Sequence, residues 1–219
     1  MAEQFNLFAE SEDSGQNVPD SASSEPRALF FDLETQKSAG EVGGWSNSHL
    51  MKLAVGVVWD SREKKYFTYL EDQADQLAQK LRSADLVVGF NVIGFDYSVL
   101  QPYSSFDLHE VHTFDMLIDV HKKLGFRVSL NHLAQHTLKA EKSADGLLSL
   151  QWYKEGKIDK IVEYCKKDVE ITRDLFLFGE KNGFVNYESR DKGLQKLPVD
   201  WKVTQLIGTP ATGSKRPPA

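Results

Sequence analysis

Only one of the 219 residues is a cysteine, Cys165. A lone thiol excludes an internal disulfide and a zinc cage built from cysteines, and it agrees with a reducing compartment. No apolar run approaches the roughly 18 residues that a membrane-spanning helix needs. The N-terminus also lacks the basic start and apolar stretch of a secretory signal, so a cytoplasmic protein with no membrane partner is expected. An excess of positive charge is missing too, with 26 Lys and Arg against 32 Asp and Glu and a formal net charge of -6. The imbalance sits in residues 1–26, where Glu3, Glu10, Glu12, Asp13, Asp20 and Glu25 have no basic counterpart. The remainder is formally neutral. That rules out a broad positive field but leaves room for a polynucleotide held locally or through bound metal ions.

The chain does have the means to fold, being 41% hydrophobic and 11% aromatic, which excludes a wholly disordered protein. Residues 1–26 are rich in Ser, Glu, Asp and Gln without sustained apolar periodicity, and the stretch from Gly208 is rich in Gly, Pro, Thr and Ser. The expected organisation is a disordered acidic tail over 1–26, one domain over 27–202 and a flexible C-terminal tail over 203–219. Phe5, Leu7 and Phe8 make an apolar patch in the acidic tail, readable as a docking peptide or as an incidental cluster.

Within the domain, Ala28–Leu33, Leu53–Trp59 and Lys65–Leu70 read as strands from their apolar, β-branched and aromatic content. Ala74, Leu77, Ala78 and Leu81 recur at helical spacing over Asp72–Ser83, and Asp85–Phe90 returns to strand character, so a helix crosses between strands. A short helix over 95–101 stopped by Pro102, a strand over Glu110–Phe114, and helices over Asp115–Leu124, Leu130–Leu138 and Lys157–Gly179 follow. Phe184–Tyr187 and Leu197–Trp201 are expected to close the fold as a hairpin. The whole predicts an α/β protein with a mixed five-stranded sheet and helices on both faces, an order that ribonuclease H-like folds share with others.

Three segments carry carboxylates that this order brings into question. Asp32 and Glu34 alternate with Leu33 on the first strand, so both leave the same face of the sheet, where two adjacent acids are unfavourable unless a cation neutralises them. Asp96, in Asn91-Val-Ile-Gly-Phe95-Asp96, follows a strand directly, at the carboxyl end where α/β folds collect ligand-binding groups. Asp115 also follows a strand and is its rival. Tyr164 and Asp168 are i and i+4 in the longest helical pattern, so they project from one face. Each piece is common: Asp168-Val-Glu170 repeats the first pattern, and Tyr187 and Asp191 repeat the last in a turn-rich stretch.

The ordered set of three resembles the DEDDy branch of the ribonuclease H-like 3′-5′ exonucleases, over roughly residues 27–180. The wider stretch through Trp201 is similar to a bacterial group of predicted exonucleases (the YprB-type group), close to the proofreading domains of family B DNA polymerases. Glu163 stands where the histidine branch would carry its histidine.

The resemblance implies hydrolysis of phosphodiester bonds at single-stranded DNA or RNA 3′ ends with two divalent ions. Four acids without thiolates suit Mg²⁺ or Mn²⁺. It further implies that Asp32, Glu34 and Asp168 hold the ion nearer the nucleophile, with Asp32 bridging to the second. Asp96 acts through water, Tyr164 orients the attacking water, Thr35 contacts the terminal nucleotide, and Asn91 and Phe95 bind and stack the strand. A helicase or polymerase partner is compatible with it. The competing readings are a catalytically silent nucleic-acid or partner-binding module and an endonuclease of the ribonuclease H type. His132 and His136 have metal-ligand spacing but no third ligand in sequence, which makes them ordinary surface residues. Cys165 reads as a small buried hydrophobe, and Lys166 and Lys167 as solvated helix charge or phosphate contacts.

Overall fold

The structure, a computed structural model, describes residues 25–140 and 146–208. The apolar patch at Phe5, Leu7 and Phe8 lies outside the described residues. Strand β1 (Ala28–Thr35) is the middle of a five-stranded sheet in the order β3-β2-β1-β4-β5. It pairs antiparallel with β2 (Leu53–Asp60), which pairs antiparallel with β3 (Lys65–Tyr69). On its other side it runs parallel to β4 (Leu86–Gly89), which runs parallel to β5 (Thr113–Asp115). A central strand is covered on both faces, which is why Ala28–Leu33 is a nearly unbroken apolar run.

Alternation along β1 divides the core. Ala28 and Phe30 face one cluster with α3 (Met116–Leu124), α4 (Leu130–Leu138) and α6 (Ile158–Asn182). Leu29, Phe31 and Leu33 face a second cluster with α1 (Ala74–Arg82) and α2 (Asp96–Leu100). Helices therefore cover both faces. Asp32 and Glu34 share the parity of Phe30, so they emerge on the α6 side. The long helix packs through Ile161, Cys165, Val169, Thr172, Phe176 and Gly179, all buried at helical spacing. Tyr164 and Asp168 lie on the adjacent column, beside the sheet.

The expected short α-helix ends at Leu100, just before Pro102. The chain tightens into a 3-10 turn over Gln101–Tyr103, where a proline near the start lacks only an N–H that would have no partner there. The closing hairpin is shifted from its expected place. It comprises β6 (Phe184–Ser189) and β7 (Gly193–Pro198), and Trp201 belongs to neither strand. Leu197, Val199 and Trp201 alternate like a strand, but Trp201 turns inward, stacks on Phe176 and donates its indole N–H to Asp119 Oδ2 at 2.8 Å. The hairpin is tied to α4, since Glu188 N donates to His132 Nε2 at 3.0 Å and Asn186 N to Thr137 Oγ1 at 2.9 Å. His132 is thus a fastening of the fold.

Four elements had no sequence signal: 3-10 helices over Leu108–Glu110 and Trp45–Leu50, α5 (Gly146–Lys154) and α7 (Val203–Ile207). The last corrects the expected boundary at 202. Val203, Leu206 and Ile207 pack on the α6-side core, so the described fold continues past the point where a tail was expected. No helix among the described residues is long and apolar enough to cross a membrane.

Gly179 gives a direct test of this packing. A Cβ there would run into the Trp201 ring, which has no room to retreat because Phe176 and Phe114 hold it. Gly179→Ala should therefore destabilise the protein by about 1–3 kcal/mol despite alanine's better helix propensity. Urea unfolding reads this as a lower midpoint with an unchanged slope; an equal or higher midpoint would contradict the packing described.

Candidate active site

The site lies where β1 and β4, running parallel, both reach their carboxyl ends. The β1–β2 register shifts between Glu34 and Thr35, with Glu34 opposite Val55 but Thr35 opposite Leu53, so Ala54 is an extra residue. Such a bulge bends a strand locally and re-aims the side chains beside it. Asp32, Glu34 and Asp168 each offer a carboxylate oxygen, and these three atoms lie within 4.8 Å of one another. Strand alternation supplies the first two and one turn of α6 the third.

Asp96 begins α2, is almost wholly buried, and accepts a hydrogen bond from Leu33 N at 3.2 Å. It therefore backs β1 rather than joining the three-oxygen group. Its rival Asp115 is engaged otherwise. Oδ1 accepts from Asn91 N at 2.8 Å and from Leu117 N at 3.0 Å, and Oδ2 from Ile93 N at 3.1 Å. It caps α3 and holds the turn after β4. Asn91 takes the left-handed conformation in that turn (φ 69°), and its side-chain oxygen accepts from Arg127 Nη2 at 3.0 Å.

Burial and mutual repulsion dominate the electrostatics. Asp32 is held well above the ordinary carboxyl range by burial and then by the charges of Asp96, Asp168 and Glu34, against a weak opposing contact from Cys165. Glu34 is pushed up to about 8 by burial, which the Ser149 hydrogen bond partly offsets, with Asp168 and Asp96 adding repulsion. Asp96 likewise rises to about 8, through burial and then Asp115. The leading charges on all three are other carboxylates. Such a cluster is stable as anions only with a cation among them. The donors are hard oxygens without thiolate or imidazole, which fits Mg²⁺ or Mn²⁺ and fits zinc poorly.

Tyr164 hydrogen-bonds the Asp168 carboxylate, and burial together with that negative neighbour raises its phenol further. It therefore stays protonated at neutral pH and serves as a donor, not a base. Its ring meets Trp152 of α5 edge-on at 6.2 Å. Cys165, fully buried as expected, points its thiol at Asp32 O at 3.3 Å.

Thr35, Asn91 and Phe95 line one depression of about 600 Å³ with Glu34, within the size range of small-molecule sites. Trp45, Leu147 and Ser149 line it too and had no sequence signal as site residues. Ser149 is almost fully buried and donates to Glu34 Oε2 at 2.6 Å. A hydrogen bond behind a metal-binding carboxylate orients it, and losing one typically costs about 10–100-fold in metal affinity. Ser149→Ala should accordingly weaken Mn²⁺ binding about 10-fold in calorimetric titration. Unchanged affinity would show that Glu34 needs no such support.

The sequence profile of the RNase_H superfamily matches residues 29–177. The chain belongs to that superfamily. Among solved structures it is similar in fold to the family B DNA polymerase from the hyperthermophilic archaeon Pyrobaculum calidifontis, with a TM-score of 0.52 and 16% sequence identity. The alignment covers 84% of this chain and 27% of the polymerase, so the chain spans about a quarter of that protein. No curated protein matches the sequence. The superfamily, the sheet and the carboxylate group together define a nuclease-like domain with a candidate divalent-metal centre.

Proposed function

We propose that the protein is a metal-dependent 3′-5′ exonuclease of the DEDDy type, acting on single-stranded ends of DNA or RNA. The observation that carries this reading is the meeting of Asp32, Glu34 and Asp168 within 4.8 Å, with Tyr164 one helical turn before Asp168. Two divalent ions bound there would supply an activated water and neutralise charge on the phosphate and the leaving oxygen.

The chain's own residues do the rest. Asp32, Glu34 and Asp168 would hold the ions. Asp96, hydrogen-bonded to Leu33 N, braces the strand that presents the first two. The Tyr164 phenol, kept protonated, would turn its one O–H from the Asp168 carboxylate to the reacting water once cations occupy that carboxylate, instead of accepting the water's proton. Thr35 and Asn91 border the approach of the strand to Glu34, and Phe95 offers it an aromatic surface. Membership of the RNase_H superfamily and a fold shared with a DNA polymerase agree with a nucleic-acid substrate. A helicase or polymerase partner fits the same reading.

Degradation of matched 5′-labelled DNA and RNA strands in Mg²⁺, Mn²⁺ or chelator tests it. Shortening by single nucleotides from the 3′ end, dependent on metal, is expected. Internal cuts would favour an endonuclease, and binding without cleavage a silent module.

A further inference from the structure

Helix α5 reaches the site twice along one face. Ser149 and Trp152 are i and i+3, so they project together. The first donates to Glu34 Oε2 at 2.6 Å, and the ring of the second meets Tyr164 edge-on at 6.2 Å with the planes 70° apart. The serine serves a carboxylate. The tryptophan meets the phenol, from a half-buried position against the α6-side core.

The turn that joins α5 to α6 fixes where the indole sits. Lys157 N donates to Trp152 O at 2.8 Å, Gly156 N to Tyr153 O at 3.0 Å and Glu155 N to Gln151 O at 3.0 Å. Gly156 takes a φ of 70°, which glycine adopts without strain, and the chain turns there into α6. Lys154 Nζ pairs with Glu41 Oε1 at 2.9 Å, and Lys160 Nζ stands 5.9 Å from the centre of the Trp152 ring. The indole therefore has anchors of its own, apart from Tyr164.

Tyr164 is the group that needs such a neighbour. It is only half-buried, and with Trp152 it borders a hollow of about 400 Å³. The torsion that turns a tyrosine ring has a broad minimum, so something outside the residue must fix the ring plane. An edge-to-face contact limits tilting of the ring and leaves the hydroxyl free to rotate about its C–O bond.

Resting on the exonuclease reading, we propose that Trp152 is a positioning residue that fixes the plane of the Tyr164 ring, so that the phenol O–H swings from Asp168 to the reacting water while the ring stays in place. It acts through Tyr164 alone and holds neither ion nor strand.

A double-mutant cycle in the full chain tests this. With a 5′-labelled strand in Mn²⁺, Tyr164→Phe and Trp152→Ala should each lower kcat on the order of 10-fold and leave KM within about twofold, because misplacing a reacting group costs rate rather than binding. The double variant should be no slower than Tyr164→Phe. Trp152→Phe, which keeps an aromatic edge, should retain most of the rate. A second readout needs neither metal nor turnover: crystals of the metal-free parent and Trp152→Phe should show the Tyr164 ring in one orientation, and those of Trp152→Ala should show it turned, with its hydroxyl away from Asp168. Additive losses in the cycle, or a ring that keeps its place in Trp152→Ala, would overturn the assignment. So would weaker binding of a fluorescein-labelled single strand in Ca²⁺ by Trp152→Ala, because the indole would then hold nucleic acid. Weaker Mn²⁺ binding by that variant would do the same, because α5 would then have slipped as a whole. An inactive parent whose Tyr164 ring still turns in Trp152→Ala would sink the exonuclease reading and leave the contact standing; an active parent with an additive cycle would do the reverse.

Discussion

Asp32→Asn is expected to reduce hydrolysis on the order of 10³-fold, the scale of losing a key electrostatic contact to a transition state, while raising the melting temperature of the metal-free protein at pH 8. Both effects have one cause. Asp32 sits between Glu34, Asp96 and Asp168, and burial together with their charges opposes its ionisation. The carboxamide keeps the shape and removes the ionisable group, so the folded state no longer has to oppose its ionisation, but a metal ligand is lost with it. Calorimetry in chelator and a 5′-labelled strand assay in Mn²⁺ read the two effects separately. Activity within tenfold of the parent, or a lower melting temperature, would contradict this account of the cluster.

The second large effect is the dependence of stability on pH and metal. Glu34 and Asp96 titrate near 8 in the folded protein, against ordinary values of 4.5 and 3.8. Between roughly pH 4.5 and 8 the folded state therefore binds more protons than the unfolded chain, and stability falls as pH rises. The contribution of these groups is complete below that window and lost above it, the opposite of a salt-bridged carboxylate. A divalent ion displaces the same protons, so its affinity rises across the window. In chelator the melting temperature should decline from pH 5 to pH 8. Saturating Mn²⁺ should offset part of the decline, adding little at pH 5 and about 5–10 °C at pH 8, where a concentration 100 times Kd contributes about 2.7 kcal/mol. Parallel curves with and without Mn²⁺ would mean that the carboxylates bind no ion.

The five strands of the sheet and the helices α1, α3, α4 and α6 were legible because each has a period. Ala28–Leu33 is apolar on both faces as a central strand must be, and Ile161, Cys165, Val169, Thr172 and Phe176 repeat at helical spacing. The same regularity put Asp32 and Glu34 on one face. Helix α5 was invisible for the converse reason. Leu147 is exposed while Ser149 is buried, so its apolar residues mark no inward stripe, and the function of that helix is to border a cleft. Trp45 escaped notice because a 3-10 turn has no longer-range periodicity. The choice between Asp96 and Asp115 was equally closed to sequence, since both follow strands and both are buried. Only the hydrogen bonds from Asn91, Ile93 and Leu117 mark Asp115 as a cap. At the C-terminus, Trp201 looked like a strand residue because Leu197, Val199 and Trp201 alternate, and alternation carries no record of where a chain turns.

Crystals grown with Mn²⁺ and measured at the manganese absorption edge test the centre itself. The account predicts an anomalous peak bounded by oxygens of Asp32, Glu34 and Asp168 in the parent, and its loss in Asp32→Asn. Fully occupied manganese elsewhere on the molecule, with these three carboxylates ion-free at pH 8, would contradict it.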